Sequence, residues 1–560
     1  MAKAENLSRR GFLAGAAALG GSIALTACSP QSDSSGSGGA DSEAIAWDKV
    51  VDVLAVGSSG AAYGALAAKE AGAASVMIIE KGDIFGGTTS FSGGGHWTPC
   101  NHVMAEAGYE DNRNDALAYI SWLANNKSSP ELQASYVDNS LDFIAWTMEK
   151  YNYVWNFGLG EYPDYAPDHI PGFRVGRMIT IDDVTTVKNV TGETIEHIRY
   201  AGGSEFKCIR FLCEQNDIEV MMMTAGKMLY KNDLGEVVGV LAEDSSGTEI
   251  KIGVNKGVIL GTGGFDYDGD MCRAYLSVPY AISCAVPTNT GDGHKMGMGV
   301  GAALANMIGV NPAAGWLPEG EPKEDGSMIN DQTQAFMNIG GTTGKPNSLM
   351  VNSRGERMGD EASSYGNLHA MWAAWSTYTL QPMNVPAYFI CDSTFVQYYA
   401  FKGYEVGEIP PFVAKADTLE ELADVFGIDI DGLNATLAVF NPNAKAGIDP
   451  IWHRGEGTNR GDASGTRTDL ANPSLGPVET PPFYGTRIYP AMLGTIGGLK
   501  TNSKAQVLDV FGNPIPRLFA CGGTAGSPFG PSYPGGGAPV GSSCTMGWVA
   551  GRTAMDVEVK

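Results

Sequence analysis

Few folds can accommodate residues 48 to 81. An apolar run from Val50 to Val56 breaks at Gly57, an Ala-rich segment of helical character follows, and a second apolar run from Ser75 to Ile79 ends on Glu80. This is the order strand, turn, helix, strand. In a parallel βαβ unit of this kind the helix N-terminus faces the pyrophosphate of a dinucleotide, and the acid closing the second strand accepts a hydrogen bond from ribose. Glu80 lies 23 residues after Gly57, a suitable reach. The glycine pattern departs from the usual fingerprint: after Gly57 and beside Gly60, Ser59 and Ala62 occupy the positions of its second and third glycines.

A second stretch narrows the cofactor. Gly86-Gly-Thr-Thr-Ser-Phe-Ser-Gly-Gly-Gly95 is rich in glycine and hydroxyl groups and directly follows the ribose-binding acid, which suits FAD better than a nicotinamide. The expected contacts are Gly57, Ser59, Gly60 and Ala61 at the turn, Glu80 and Lys81 at the strand end, and Gly87, Thr88, Thr89, Ser92, Gly93 and Gly94 in the loop. Later in the chain they are Ala225, Thr262, Gly263, Gly522, Gly537, Pro539 and Val540. Strands running into glycines recur at Gly261-Thr-Gly-Gly264 and Gly522-Gly523, and the loop Gly530 to Gly541 opens a final helix whose amides can face a carbonyl oxygen or the flavin. His294 stands at another helix start and reads as structural rather than as a catalytic base.

With 560 residues the chain exceeds one compact core. The expected class is α/β: a Rossmann-like FAD-binding domain formed by residues 46–320 and 490–560, with an inserted α+β capping domain at 321–489, where aromatic and Pro-rich sequence replaces the β-branched runs. A net charge of −25 argues against nucleic acid or an anionic membrane as partner through a basic face. The nine cysteines carry no metal-ligand spacing, so no metal site is expected. Ahead of the fold, Ser8-Arg9-Arg10-Gly11-Phe12-Leu13 matches a twin-arginine export motif, and Leu25-Thr-Ala-Cys28 resembles a lipobox. Residues 1–28 are therefore expected to be a signal with Cys28 lipidated or the chain cut near Ala27, and residues 29–45 a flexible tether. Export by this route carries folded, cofactor-loaded proteins to an extracytoplasmic location, with the membrane reached through the lipid anchor alone.

Taken together, the βαβ unit, the Gly86 loop, Gly261-Thr-Gly-Gly, Gly497-Gly-Leu and the C-terminal glycine loop resemble the flavoprotein superfamily of fumarate reductases and 3-oxosteroid 1-dehydrogenases. Ser532-Tyr533-Pro-Gly-Gly-Gly537-Ala is similar to the Tyr-Pro-Gly-x-Gly-Ala loop of the 3-oxosteroid branch. That resemblance implies that Tyr533 and the Gly537 amide hold a substrate carbonyl, that Tyr365, after an Arg-x-x-x-Glu segment, is the base, and that Tyr165 supports it, with Tyr162 the fallback. The reaction implied is reduction, or reversible formation, of a carbon–carbon double bond conjugated to a carbonyl in a bulky enone, with hydride exchanged at flavin N5 and a proton moved by tyrosine. Electrons would pass to or from a membrane cytochrome or the quinone pool. The fumarate and urocanate reductases would need an arginine where the chain has Ser363-Ser364-Tyr365, and a His-Pro where it has Asn311-Pro312. An unsaturated-acid reductase stands as the alternative, followed by a flavin-binding lipoprotein without activity and an amine- or hydroxyacid-oxidising flavoenzyme.

Overall fold

The computed structural model describes residues 45–197, 201–318, 323, 328–331, 339–456, 467 and 469–560. The twin-arginine motif, Cys28 and residues 29–44 of the expected tether lie outside the described residues, as does most of the polar loop between Gly455 and Thr468.

The opening motif forms as read. Strand Lys49–Val56 pairs in parallel with Val76–Ile79, and helix Gly60–Glu70 connects them. Five strands share this parallel arrangement: Pro514–Ala520, Glu249–Leu260, Lys49–Val56, Val76–Ile79 and Glu219–Met221, from one side to the other. The hairpin Thr224–Lys231 and Val237–Asp244 joins antiparallel to Glu249–Leu260, and Gln506–Leu508 closes the far edge. Glu249–Leu260 is one continuous strand of 12 residues. Gly257 does not interrupt it, because the Phe519 ring packs where a side chain would stand.

The first helix packs against the C-terminal helix Ala538–Ala554 at very short range. A Cβ on Gly60 would come within 2.1 Å of the Ser543 carbonyl oxygen, and one on Gly547 within 2.0 Å of the Gly60 carbonyl oxygen. Gly60 therefore serves the helix crossing rather than an approach to a ligand. Ala, Val and aromatic side chains from both helices and from Pro130–Tyr151 fill the core around this crossing.

A second sheet is built on Phe483–Thr495, a strand of 13 residues. It pairs with Ala387–Asp392, Val310–Gly315, Ala414–Ala416 and Ile282–Ser283, and Ser348–Asn352 adds to Ala387–Asp392. The hydrogen bonding does not follow the expected limits of 321 and 489: two strands join from before 321, and the long strand runs through 489. No described helix is long and apolar enough to cross a membrane.

Candidate active site

One cavity of about 620 Å³ is lined by both sheets. Its walls hold Gly57, Ser59, Glu80, Lys81, Gly87, Thr88, Thr89, Ser92 and Gly93 from the first motif, and Thr262, Gly263, Gly522, Gly537, Pro539 and Val540 from later segments. Tyr162, Tyr165, Tyr365 and Tyr533 line it too. Four expected contacts do not: Gly60 and Ala61 lie in packing behind the turn, Gly94 abuts the backbone at Ala201 and Gly202, and Ala225 yields to its neighbours Thr224 and Gly226.

Several features fit a dinucleotide. Gly57 has φ of +102°, and a Cβ there would come within 2.2 Å of the Gly261 carbonyl oxygen, so the strand ends are as close as backbone allows. Ser59 stands at the N-cap of the first helix yet makes no cap hydrogen bond; its hydroxyl instead bonds Thr89 at 2.7 Å. The serine thereby turns aside and, with Gly57 and Ser58, lines the cavity ahead of the first helical turn. Glu80 is held on both oxygens: Oε2 accepts from the Ser58 amide (3.0 Å) and hydroxyl (2.6 Å), and Oε1 from the Gly82 amide (2.7 Å). Burial raises its pKa, and the Ser58 bonds work against that rise. The Ser58 hydroxyl also accepts from the Gly86 amide at 2.7 Å, joining turn, acid and glycine loop. Sequence reasoning passed over Ser58, although a hydroxyl next to the first glycine was the available signal.

Lys81 is the only Lys, Arg or His among the described residues lining the cavity, and it is engaged: Nζ lies 2.8 Å from Asp292 Oδ2 and 2.6 Å from the Thr290 hydroxyl. Behind the wall, burial pushes the Asp266 carboxyl up to about 6. It accepts from the Thr495 amide (3.0 Å) and Asn289 Nδ2 (3.3 Å), which orients Asn289 at the cavity surface. Both acid and amide went unmarked in the sequence, since neither belongs to a local motif.

Three tyrosines distant in sequence meet at one point. The Tyr165 hydroxyl donates to that of Tyr365 at 2.7 Å, and the Tyr365 and Tyr533 hydroxyls are 3.4 Å apart. The rings pack edge to face with centroids 5.0 to 5.7 Å apart. Burial, then the neighbouring Tyr365, raises the Tyr533 pKa well above the ordinary phenol value, while the Gly537 amide pulls it back down. Tyr533 therefore remains a hydrogen-bond donor, beside an amide. Gly537 begins the C-terminal helix at φ +81°, packed so that a Cβ would lie 2.2 Å from the Gly95 carbonyl carbon. The hydroxyl bonded to Tyr365 belongs to Tyr165, with Tyr162 on the cavity wall nearby.

The remaining candidates sort by position. His294 is buried off the cavity with Nε2 2.9 Å from the Gly497 carbonyl oxygen, and burial lowers its pKa, as a structural histidine requires. Asn311 lines the cavity, and its Oδ1 has no hydrogen-bond partner among the described residues. His96, Glu205 and Cys544 cluster in the core, where His96 and the Tyr63 hydroxyl both bond the Glu205 carboxylate, at 3.0 and 2.6 Å.

Comparison with known proteins places this geometry. Residues 52–540 match the family described as FAD binding domain. The chain is 29% identical over 552 residues to 4-oxocyclohexanecarboxylate 2-dehydrogenase of Sinomonas cyclohexanicum, covering 90% of this chain and 92% of that protein. It is 28% identical over 573 residues to 3-oxosteroid 1-dehydrogenase of Mycobacterium tuberculosis, covering 89% and 97%. In fold it is similar to the crystal structure of 3-ketosteroid delta1-dehydrogenase from Sterolibacterium denitrificans in complex with 1,4-androstadiene-3,17-dione, with a TM-score of 0.78, 24% identity and coverage of 91% and 100%. The glycine-walled cavity, the oriented Glu80 and the match over most of its length lead to one conclusion: this chain belongs to the FAD-binding family and is an FAD-dependent oxidoreductase.

Proposed function

We propose that the protein reduces, or reversibly forms, a carbon–carbon double bond conjugated to a ring ketone, in a 3-oxosteroid-like or other bulky enone. The observation that carries this reading is the meeting of the Tyr165, Tyr365 and Tyr533 hydroxyls beside the Gly537 amide. Both dehydrogenase relatives are named for ring ketones, which supports the substrate class.

Bound FAD supplies the two-electron hydride exchange; Ser58, Glu80, Thr88, Asn289 and the Gly57 turn would hold it. The protein's own part is proton and charge management. The Tyr533 hydroxyl and Gly537 amide both donate to the ketone oxygen, stabilising the negative charge that develops there as the α-carbon gains or loses its proton. Tyr365 carries that proton, and Tyr165 donates to the Tyr365 oxygen, which favours its anionic form when the proton is taken. Among the described residues a dicarboxylate finds no equivalent reception, because Lys81 is held by Asp292 and Asn311 carries no charge.

The test is anaerobic reduction of the purified flavoprotein followed by addition of a 3-oxo-4-ene steroid, a 3-oxo-1,4-diene steroid, an unsaturated lactone and fumarate. Reoxidation by an enone and not by fumarate is expected, and in the Tyr533→Phe variant kcat should fall by about a hundredfold or more with flavin retained. Reoxidation by fumarate alone would overturn the reading.

The same proposal extends to location. Arg9-Arg10 and Leu25-Thr-Ala-Cys28 support twin-arginine export and a lipid anchor, and therefore exchange of electrons with a membrane cytochrome or quinone. Cys28→Ser should release the protein from the membrane fraction of its host into the soluble one. An unchanged distribution would remove the anchor.

A further inference from the structure

We infer that Tyr119, which does not line the cavity, is a positioning residue for the tyrosine site, locking together the two loops that carry Tyr165 and Tyr533. This rests on the enone reading above. Tyr119 projects from helix Arg113–Ala124 and is fully buried. Its hydroxyl donates to the Pro534 carbonyl oxygen at 2.7 Å and accepts from the Ala166 amide at 3.0 Å. The Pro534 carbonyl also accepts from the Tyr165 amide at 2.8 Å. One hydroxyl and one carbonyl thus tie residues 165–166 to residues 533–534, with a proposed site tyrosine in each pair.

The surroundings hold Tyr119 in turn. The Arg177 guanidinium lies 5.5 Å from the Tyr119 ring centroid and 5.2 Å from that of Trp97. Arg177 bonds Asp164 at 2.7 Å and Asp111 at 2.7 Å, and Asp164 accepts from Trp97 Nε1 at 2.7 Å. Asp164 immediately precedes Tyr165, so the buried ion pair fixes the same loop from its other side. Burial keeps the Tyr119 pKa well above the ordinary value, so the hydroxyl keeps its proton and the tie persists wherever the protein is folded. Its effect passes through backbone: it sets how closely the Tyr165 and Tyr533 hydroxyls approach Tyr365, to which small displacements matter greatly.

Tyr119→Phe removes the hydroxyl and keeps the ring against Arg177. With an enone substrate, kcat is expected to fall by about 10- to 100-fold with KM within roughly threefold. A readout without turnover is binding of p-nitrophenol, whose absorption reports the donors around its oxygen; its affinity should weaken by about tenfold. Tyr119→His, which restores a donor and an acceptor on a ring, should recover part of both losses. Unchanged kcat and nitrophenol affinity in Tyr119→Phe would overturn the inference. So would loss of folding, melting temperature and flavin in step with activity, which would make Tyr119 structural only. A wild-type protein that neither turns over an enone nor binds nitrophenol would instead overturn the enone reading itself.

Discussion

Tyr365→Phe is expected to lower kcat by about a thousandfold while leaving flavin content and melting temperature near those of the wild type. The phenyl ring keeps its edge-to-face packing between Tyr165, at 5.0 Å, and Tyr533, at 5.7 Å, so the cavity wall stays intact. What disappears is the one hydroxyl that reaches both neighbours, at 2.7 and 3.4 Å. Rapid mixing of the reduced variant with an enone measures the chemical step directly. Because the ketone oxygen would still be held by Tyr533 and Gly537, KM should change little. A variant working at more than about a tenth of the wild-type rate would exclude Tyr365 from proton transfer.

The other large effect belongs to Gly57→Ala, expected to yield protein that folds and purifies without its flavin. Alanine at φ +102° is strained by itself, and its Cβ would lie 2.2 Å from the Gly261 carbonyl oxygen and 2.6 Å from its carbon. Neither atom can step aside, since the Gly261 amide is bonded to the Val56 carbonyl at 2.8 Å and Val56 pairs with Leu260. The strand ends must part, and with them the Gly57 turn that lines the cavity. A loss of about 4 kcal/mol in cofactor binding corresponds to roughly a thousandfold in Kd. Visible absorbance per mole of protein, before and after adding FAD, measures it. Flavin bound at wild-type affinity would mean that the turn does not govern the cofactor.

The sequence by itself determined the parts of this protein whose physics is local. Gly57 is required by a backbone turn, Glu80 by the end of a strand, and the alternation of apolar runs with an Ala-rich helix by the period of each element, so the dinucleotide-binding unit was legible within 34 residues, from Asp48 to Lys81. The segments carrying Tyr165, Tyr365 and Tyr533 were also legible, through resemblance of their loops. Only the tertiary structure decided how those parts meet. Tyr165 and Tyr162 are separated by two residues on one loop, and what sets Tyr165 on Tyr365 is the tie to Pro534 and Tyr119, made by residues hundreds of positions apart. Gly60 looked like a phosphate-binding glycine, but Ser543 of the last helix claims the space beside it. Ala225 lies between the two residues that do face the cavity because side chains along a strand alternate, and which face is inward depends on the sheet around it. The limits of the second sheet depend on strands before residue 321 finding a partner at 483–495. Local sequence sets dihedral angles and periodicity; which side chains converge is set by long-range packing, whose information is spread over the whole chain.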